Sequence, residues 1–239
     1  MKLLEILLLF FIAFLPPVIY AIWIRNTEKY NQEKWRSIIF CFIWGATIAI
    51  VASIILELAL GSIVVSVNSS IHLIISAVFI APFAEELTKP FALRFKVVKK
   101  ELDELEDGLI YGAVAGLGFS ATENLFYGYD AFISEGLLFF FILVCIRSFT
   151  GCLLHASATA WTGYGYGKRI MGHIPLFRVI PYFLLAFLVH AFYNFIPVYG
   201  FITGFSVAIF VALMFVIVTM YIVKMKIKKL DRISEENVL

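Results

Sequence analysis

The sequence predicts an all-α polytopic membrane protein: a bundle of about seven transmembrane helices, N-terminus outside and C-terminus in the cytoplasm. Three observations predict it. Of 239 residues, 62% are hydrophobic and 15% charged, against about 25% charged in soluble domains, and the mean hydropathy is +0.95. Apolar runs of about 20 residues, enough to cross roughly 30 Å of hydrocarbon, follow one another along the chain. Lys and Arg crowd every second connection between them. So few charges cannot coat a water-soluble globule, which excludes a soluble enzyme, a secreted scaffold and a disordered regulator. A net charge of +2 gives no reason to expect a nucleic-acid partner; the lipid bilayer is the expected surrounding.

The runs lie at 3–24, 37–60, 71–93, 108–127, 137–161, 179–196 and 201–223. The first follows Met1-Lys2, but it is too long for a signal-peptide core and has no A-x-A cleavage site, so it reads as a helix. The connection 25–36 carries Arg25, Lys29, Lys34 and Arg36, and 94–107 carries Arg94, Lys96, Lys99 and Lys100. Lys168, Arg169 and Arg178 lie in 162–178, and the tail holds Lys224, Lys226, Lys228, Lys229 and Arg232. The intervening connections 61–70, 128–136 and 197–200 hold neither Lys nor Arg. The positive-inside rule then sets the orientation.

No soluble domain fits between the runs, so 1–239 reads as one integral-membrane domain of a multi-pass protein of the cell membrane. Its polar motifs fall in 71–200; 1–60 and 201–239 are peripheral helices and a basic tail. The 94–107 connection suggests a short interfacial helix, with Asp107 as N-cap of the fourth span. The T-G-Y-G-Y-G-K-R stretch in 162–178 reads as a flexible connection and lacks the phosphate-loop pattern. Cys41, Cys145 and Cys152 sit inside apolar runs with no C-x-x-C, the pattern of apolar filler rather than of disulfides or a thiolate metal site.

Ionisable side chains inside the spans carry the functional signal, because each costs about 2.5–3.5 kcal/mol at a helix centre. They are Glu57, Glu85, Glu86, Lys89, Glu123, Arg147, His155 and His190, with Asn194 beside them. Adjacent Glu85 and Glu86 cannot both ionise cheaply in low dielectric, so they titrate as a coupled pair. Lys89 stands at i+4 and i+3 from them, where a helix brings side chains together. One glutamate can stay paired while the other cycles a proton, as general-base work requires. Glu123 lies one turn from Phe119 and from Tyr127, just after Gly112, Gly116 and Gly118, small residues that admit a neighbouring helix. His155 has Thr159 at i+4, and His190 and Asn194 share a face. Arg147 reads as a counter-ion, and Glu57 and His72 as structural or interfacial residues. The boundaries put Glu85 and His155 towards the cytoplasmic half and Glu123 towards the outer half, a difference that helix tilt would have to reconcile.

Together, Glu85-Glu86-x-x-Lys89, Phe119-x-x-x-Glu123-Asn124, His155 and His190-x-x-x-Asn194 resemble the PrsW family of polytopic intramembrane proteases, related to the CAAX prenyl endopeptidases. The resemblance covers roughly 75–200, four motifs in order on separate spans. It implies proteolysis of a membrane protein or membrane-anchored peptide by a glutamate-activated water. Where CAAX relatives have F-x-x-x-H, Glu123 stands in place of the histidine, as in PrsW-type members, which argues against prenyl-protein processing. Peptide hydrolysis needs an activated water, a polarised carbonyl and a proton for the leaving amine. Glu85 or Glu86 would be the base, and His190 and Asn194 would face the oxyanion. His155 would orient water or relay a proton, Lys89 would balance the acid pair, and Tyr127 would support Glu123. No cofactor is expected. Zinc is the rival, through Glu86, Glu123, His155 and His190, although H-E-x-x-H is absent. Two readings from other classes are a proton-coupled transporter, against which stands the lack of an inverted repeat, and a noncatalytic membrane scaffold.

Overall fold

The apolar runs lie in long helical rods, except that the last, 201–223, is divided at Gly204, so that 201–203 end the rod before it. In the computed structural model, which describes residues 3–64 and 68–238, the rods are α1 (Leu3–Arg25), α2 (Trp35–Val64), α3 (Ser70–Arg94), α4 (Leu105–Glu135), α5 (Leu137–Gly172), α6 (Ile180–Thr203) and α7 (Phe205–Val238). No strand occurs among the described residues. Six of the rods, all but α4, are long and apolar enough to cross a membrane.

The exception holds the expected fourth span, 108–127. Glycines, acids and hydroxyls dilute its hydropathy, and its side chains from Glu106 to Ala121 are buried. A helix wrapped by other helices needs no lipid-facing apolar stripe. α4 is packed against α1, α2, α3, α5 and α7, and it forms the axis of the molecule. Small residues make this possible. A Cβ added at Gly112 would lie 2.6 Å from the Thr159 carbonyl oxygen of α5, and one at Gly116 would press still closer on that of His155. Gly163 of α5 meets the Gly108 carbonyl in the same way, and Gly118, on another face, meets that of Phe42 in α2. The α4–α5 seam is thus a near backbone-to-backbone contact of small-xxx-small type.

That seam corrects the reading of 162–178 as a flexible connection. Helix α5 runs unbroken from Gly151 to Gly172, because the glycines at 163 and 165 are contact points, the latter against the Tyr182 ring. The rod ends at His173, whose φ of +50° turns the chain out of the helix. Asp107 is likewise not the N-cap. Helix α4 begins at Leu105 with Glu104 as cap, and Asp107, three residues on, closes a capping box by accepting from the Glu104 N–H at 2.7 Å. The expected interfacial helix of 94–107 is one turn, Lys96–Lys99.

Two rods are locally underwound. Gly45–Ala49 in α2 and Ser76–Ile80 in α3 adopt i→i+5 winding, which re-phases the side chains that follow. In α3 the cause is legible: Pro82 has no N–H to donate, and the wide turn is placed just before it. The largest core cluster, with Ile24, Leu93, Leu109, Ile110, Val114 and Cys152, lies around α4 and α5. The three cysteines are unpaired thiols, Cys41 and Cys152 buried and Cys145 exposed.

Candidate active site

Four rods deliver the polar residues to one place: α3 brings Glu85, Glu86 and Lys89, α4 Glu123 and Asn124, α5 Arg147, His155 and Thr159, and α6 His190 and Asn194. Lys89 is fully buried and is the hub. Its Nζ donates to Glu85 Oε2 at 2.8 Å, Glu86 Oε1 at 2.9 Å and His155 Nδ1 at 2.8 Å, and it lies 4.2 Å from the centre of the Phe119 ring. The ammonium has three protons and spends them on three acceptors.

This fixes the tautomer of His155. Its Nδ1 accepts from Lys89, so the proton is on Nε2, which donates to Glu123 Oε2 at 2.7 Å. Both ring nitrogens are occupied. Glu123 also takes an ion pair from Arg147 Nη2 at 2.8 Å, and Arg147 Nε donates to Asn124 Oδ1 at 2.9 Å. The guanidinium lies over the Tyr127 ring at 4.0 Å, which gives Tyr127 a holding contact one turn beyond Glu123.

The two glutamates of the pair differ. Glu86 is fully buried and commits both oxygens: Oε1 to Lys89 and to His190 Nδ1 at 2.9 Å, Oε2 to the Thr159 hydroxyl at 2.8 Å. Glu85 commits Oε2 to Lys89 and lines a cavity of about 720 Å³. Because Glu86 accepts, His190 donates from Nδ1, and its Nε2 lies 3.9 Å from Glu85 Oε2. The His155 and His190 rings meet edge to face at 4.9 Å. His155, His190, Glu123, Arg147 and Asn194 share the cavity wall with Glu85.

Asn194 does more than face the cavity. Its Nδ2 donates to the Ala77 carbonyl at 2.9 Å. In the wide winding of 76–80 that carbonyl would bond the N–H five residues on, which is Pro82 and has none. Asn194 therefore satisfies an orphaned backbone acceptor and ties α6 to α3, with one N–H left over.

The nine residues given a role at the site in the sequence, Glu85, Glu86, Lys89, Glu123, Tyr127, Arg147, His155, His190 and Asn194, are thus brought together, and the expected difference in depth does not arise. α4 and α5 both extend well past the expected span ends, so Glu123 and His155 meet about 26 Å along each rod from the basic-loop end. Two contributors were missed. Thr159 stood one turn from His155 in the sequence, but nothing there aimed it at Glu86. Glu57, expected to be structural, lines the same cavity; its signal was only that it is an acid within a span.

A metal could be sought here. Among the described residues, Glu85, His155 and His190 bring one ligand atom each within 4.8 Å of one another, the two-imidazole, one-carboxylate set of catalytic zinc sites; Glu86 and Glu123 are not in that group. Lys89 Nζ, however, sits on the lone pairs of Glu85 Oε2 and His155 Nδ1. A metal ion held by all three would have to displace the Lys89 ammonium from Glu85 and His155.

The profile of the PrsW family of intramembrane metalloproteases matches residues 33–222, a wider stretch than the four motifs. A protein named Protease PrsW from Clostridioides difficile (strain 630) is 33% identical over 120 residues, 50% of either chain. Another of that name, from Oceanobacillus iheyensis (strain DSM 14371 / CIP 107618 / JCM 11309 / KCTC 3954 / HTE831), is 28% identical over 186 residues, 76% of this chain and 79% of its own. The match thus spans half the length of the first relative and most of the second. No solved structure matches the chain. With its motif residues inside the matched stretch and its rods apolar enough for a multi-pass membrane protein, the chain belongs to the PrsW family of intramembrane proteases.

Proposed function

We propose that the chain is an intramembrane endopeptidase that hydrolyses a peptide bond of a membrane-associated protein substrate, with Glu85 as the base that activates water. The observation that carries this reading is that motifs from four helices line one cavity, to which Glu85 is open while Glu86 is spent on Lys89, His190 and Thr159. A water donating to Glu85 and to His190 Nε2 would turn its lone pair towards a bound carbonyl carbon. Glu85 takes the water proton as the C–O bond forms, and the developing oxyanion faces the spare N–H of Asn194. Glu85 then returns the proton to the amine nitrogen as the C–N bond breaks. His155, with both nitrogens engaged, acts by holding Lys89 and Glu123 in register. Three carboxylates (Glu85, Glu86, Glu123) against two fixed cations leave one negative charge to take up that proton.

The test is cleavage of a transmembrane peptide by the purified chain in lipid nanodiscs. Glu85→Gln is expected to lower turnover by about 10²–10⁴-fold, the usual worth of a general base, and Glu86→Ala and His190→Ala to lower it through loss of orientation. Full activity in all three variants sinks the proposal. A metal-dependent reading has in its favour the family's description and the Glu85–His155–His190 group, and it requires Lys89 to swing away. Stoichiometric zinc in active protein, with activity lost to a chelator and restored by zinc, would replace the glutamate reading with that one.

We further infer that α4 crosses the bilayer with the other six rods, giving seven crossings, the N-terminus outside and the C-terminus in the cytoplasm. The alternation of basic and uncharged connections supports this orientation.

A further inference from the structure

A second set of carboxylates is buried at the basic-loop end of the molecule, about 25 Å along α4 from Glu123. Glu28 follows α1, Glu106 opens α4, and Asp231 lies near the end of α7. Glu28 and Glu106 are fully buried, and Asp231 is 3% exposed. One oxygen from each lies within 4.8 Å of the other two, and Glu28, Glu104 and Asp107 form an overlapping group of the same kind.

The polypeptide satisfies both oxygens of Asp231 but only one oxygen each of Glu28 and Glu106. The Glu33 N–H donates to Glu28 Oε2 at 3.1 Å, and the Ser234 hydroxyl to Glu106 Oε1 at 3.3 Å. The Lys29 and Tyr30 N–H groups donate to the Asp231 carboxylate. The opposite oxygens, Glu28 Oε1 and Glu106 Oε2, are buried with no hydrogen-bond partner. Lys34 pairs with Glu101, and Arg25 binds the Glu33 carbonyl, Asn26 and Gln32. Among the described residues, none of these five acids has a salt-bridge partner.

Buried carboxylates without counter-charge are costly and must be neutralised by protons or by a cation. The donors are all oxygen, which suits hard cations and not zinc or copper. We propose that Glu28, Glu106 and Asp231, with Glu104 and Asp107 beside them, bind a hard divalent cation, Mg²⁺ or Ca²⁺, which ties the ends of α1, α4 and α7 together. The site is separate from the cavity and independent of the reaction assigned to it.

The test uses the full chain in detergent, stripped with EDTA and titrated with MgCl₂ or CaCl₂ at constant ionic strength, read by calorimetry and by thermal unfolding. One saturable site below about 10 mM is expected, near the weak end of oxygen-ligand sites, together with a rise in Tm. Glu28→Gln removes like-charge repulsion as well as a ligand. It should therefore raise the Tm of the cation-free protein, weaken binding by at least about tenfold (roughly 1.4 kcal/mol) and abolish the cation-induced rise. Asp231→Asn is expected to weaken binding in the same way. His190→Ala, in the other cavity, keeps the rise. Absence of saturable binding overturns the proposal and leaves the acids neutralised by protons. Binding unchanged in both acid variants, or lost in His190→Ala, overturns it equally.

Discussion

Lys89 shows how much rests on one side chain. An ammonium with no contact to solvent holds Glu85, Glu86 and His155 at once. Replacing it by Met keeps the volume of the stem and strips the charge, leaving two adjacent carboxylates unopposed. Breaking a buried pair from one side typically costs 3–5 kcal/mol, so Lys89→Met is expected to lose about that much in reversible unfolding in detergent, along with its proteolytic activity. Lys89→Arg is expected to fail as a rescue, because a planar fork cannot direct three donors into this tripod. Unchanged stability in Lys89→Met would mean that the glutamates are neutral and the hub is not ionic. The spacing of Glu85, Glu86 and Lys89 made this contact legible in the sequence, since helical geometry alone brings i, i+3 and i+4 together. Thr159 and Glu57 were not legible, because their roles depend on which way neighbouring rods are turned. The bond from Asn194 to the Ala77 carbonyl depends further on a backbone acceptor freed by wide winding, which no side-chain pattern announces.

The α4–α5 seam sets the distance between Glu123 and His155, so the glycines act on catalysis without touching substrate. A methyl at Gly116 would meet the His155 carbonyl, and one at Gly112 the Thr159 carbonyl at 2.6 Å; both obstacles are backbone and cannot rotate away. Gly116→Ala is expected to cost about 1–3 kcal/mol by overpacking and to lower turnover by about 10²-fold, the penalty of a displacement near 1 Å. Gly61 is the contrasting case, with nothing within 4 Å of an added Cβ. Gly61→Ala is expected to gain about 0.5–1 kcal/mol at unchanged turnover. Thermal unfolding and the peptide assay separate the two; equal behaviour would show that the seam is loose. Glycine also explains why elements were harder to read than residues. The run Gly163, Gly165, Gly167 carries the signature of a loop, yet a missing Cβ is equally what a tightly packed helix requires. Helix α4, expected as the span 108–127, is less apolar than the other rods for a related reason: its neighbours, not lipid, are its solvent.

At the scale of the whole molecule, the proposal of seven crossings rests on that same seam. Gly108 meets Gly163 while Gly116 meets His155, so α4 and α5 run antiparallel, side by side, and are joined at Gly136, where φ is +89°. Helix α5 lies in a rod apolar enough to span, and α4 accompanies it along its length. With 31 residues, α4 rises about 46 Å, more than the roughly 30 Å of hydrocarbon. A rod that lies antiparallel alongside such a neighbour, and is longer than the hydrocarbon layer, supports the proposal that α4 crosses it too. Seven crossings would place the Leu3 end of α1 and the Val238 end of α7 on opposite sides of the membrane. In a background lacking Cys41, Cys145 and Cys152, Glu5→Cys is therefore expected to react with a membrane-impermeant maleimide from the outer face, and Glu236→Cys only in inverted vesicles. Labelling of both from one side would mean six crossings, and α4 would then be a central post that enters the membrane without passing through it.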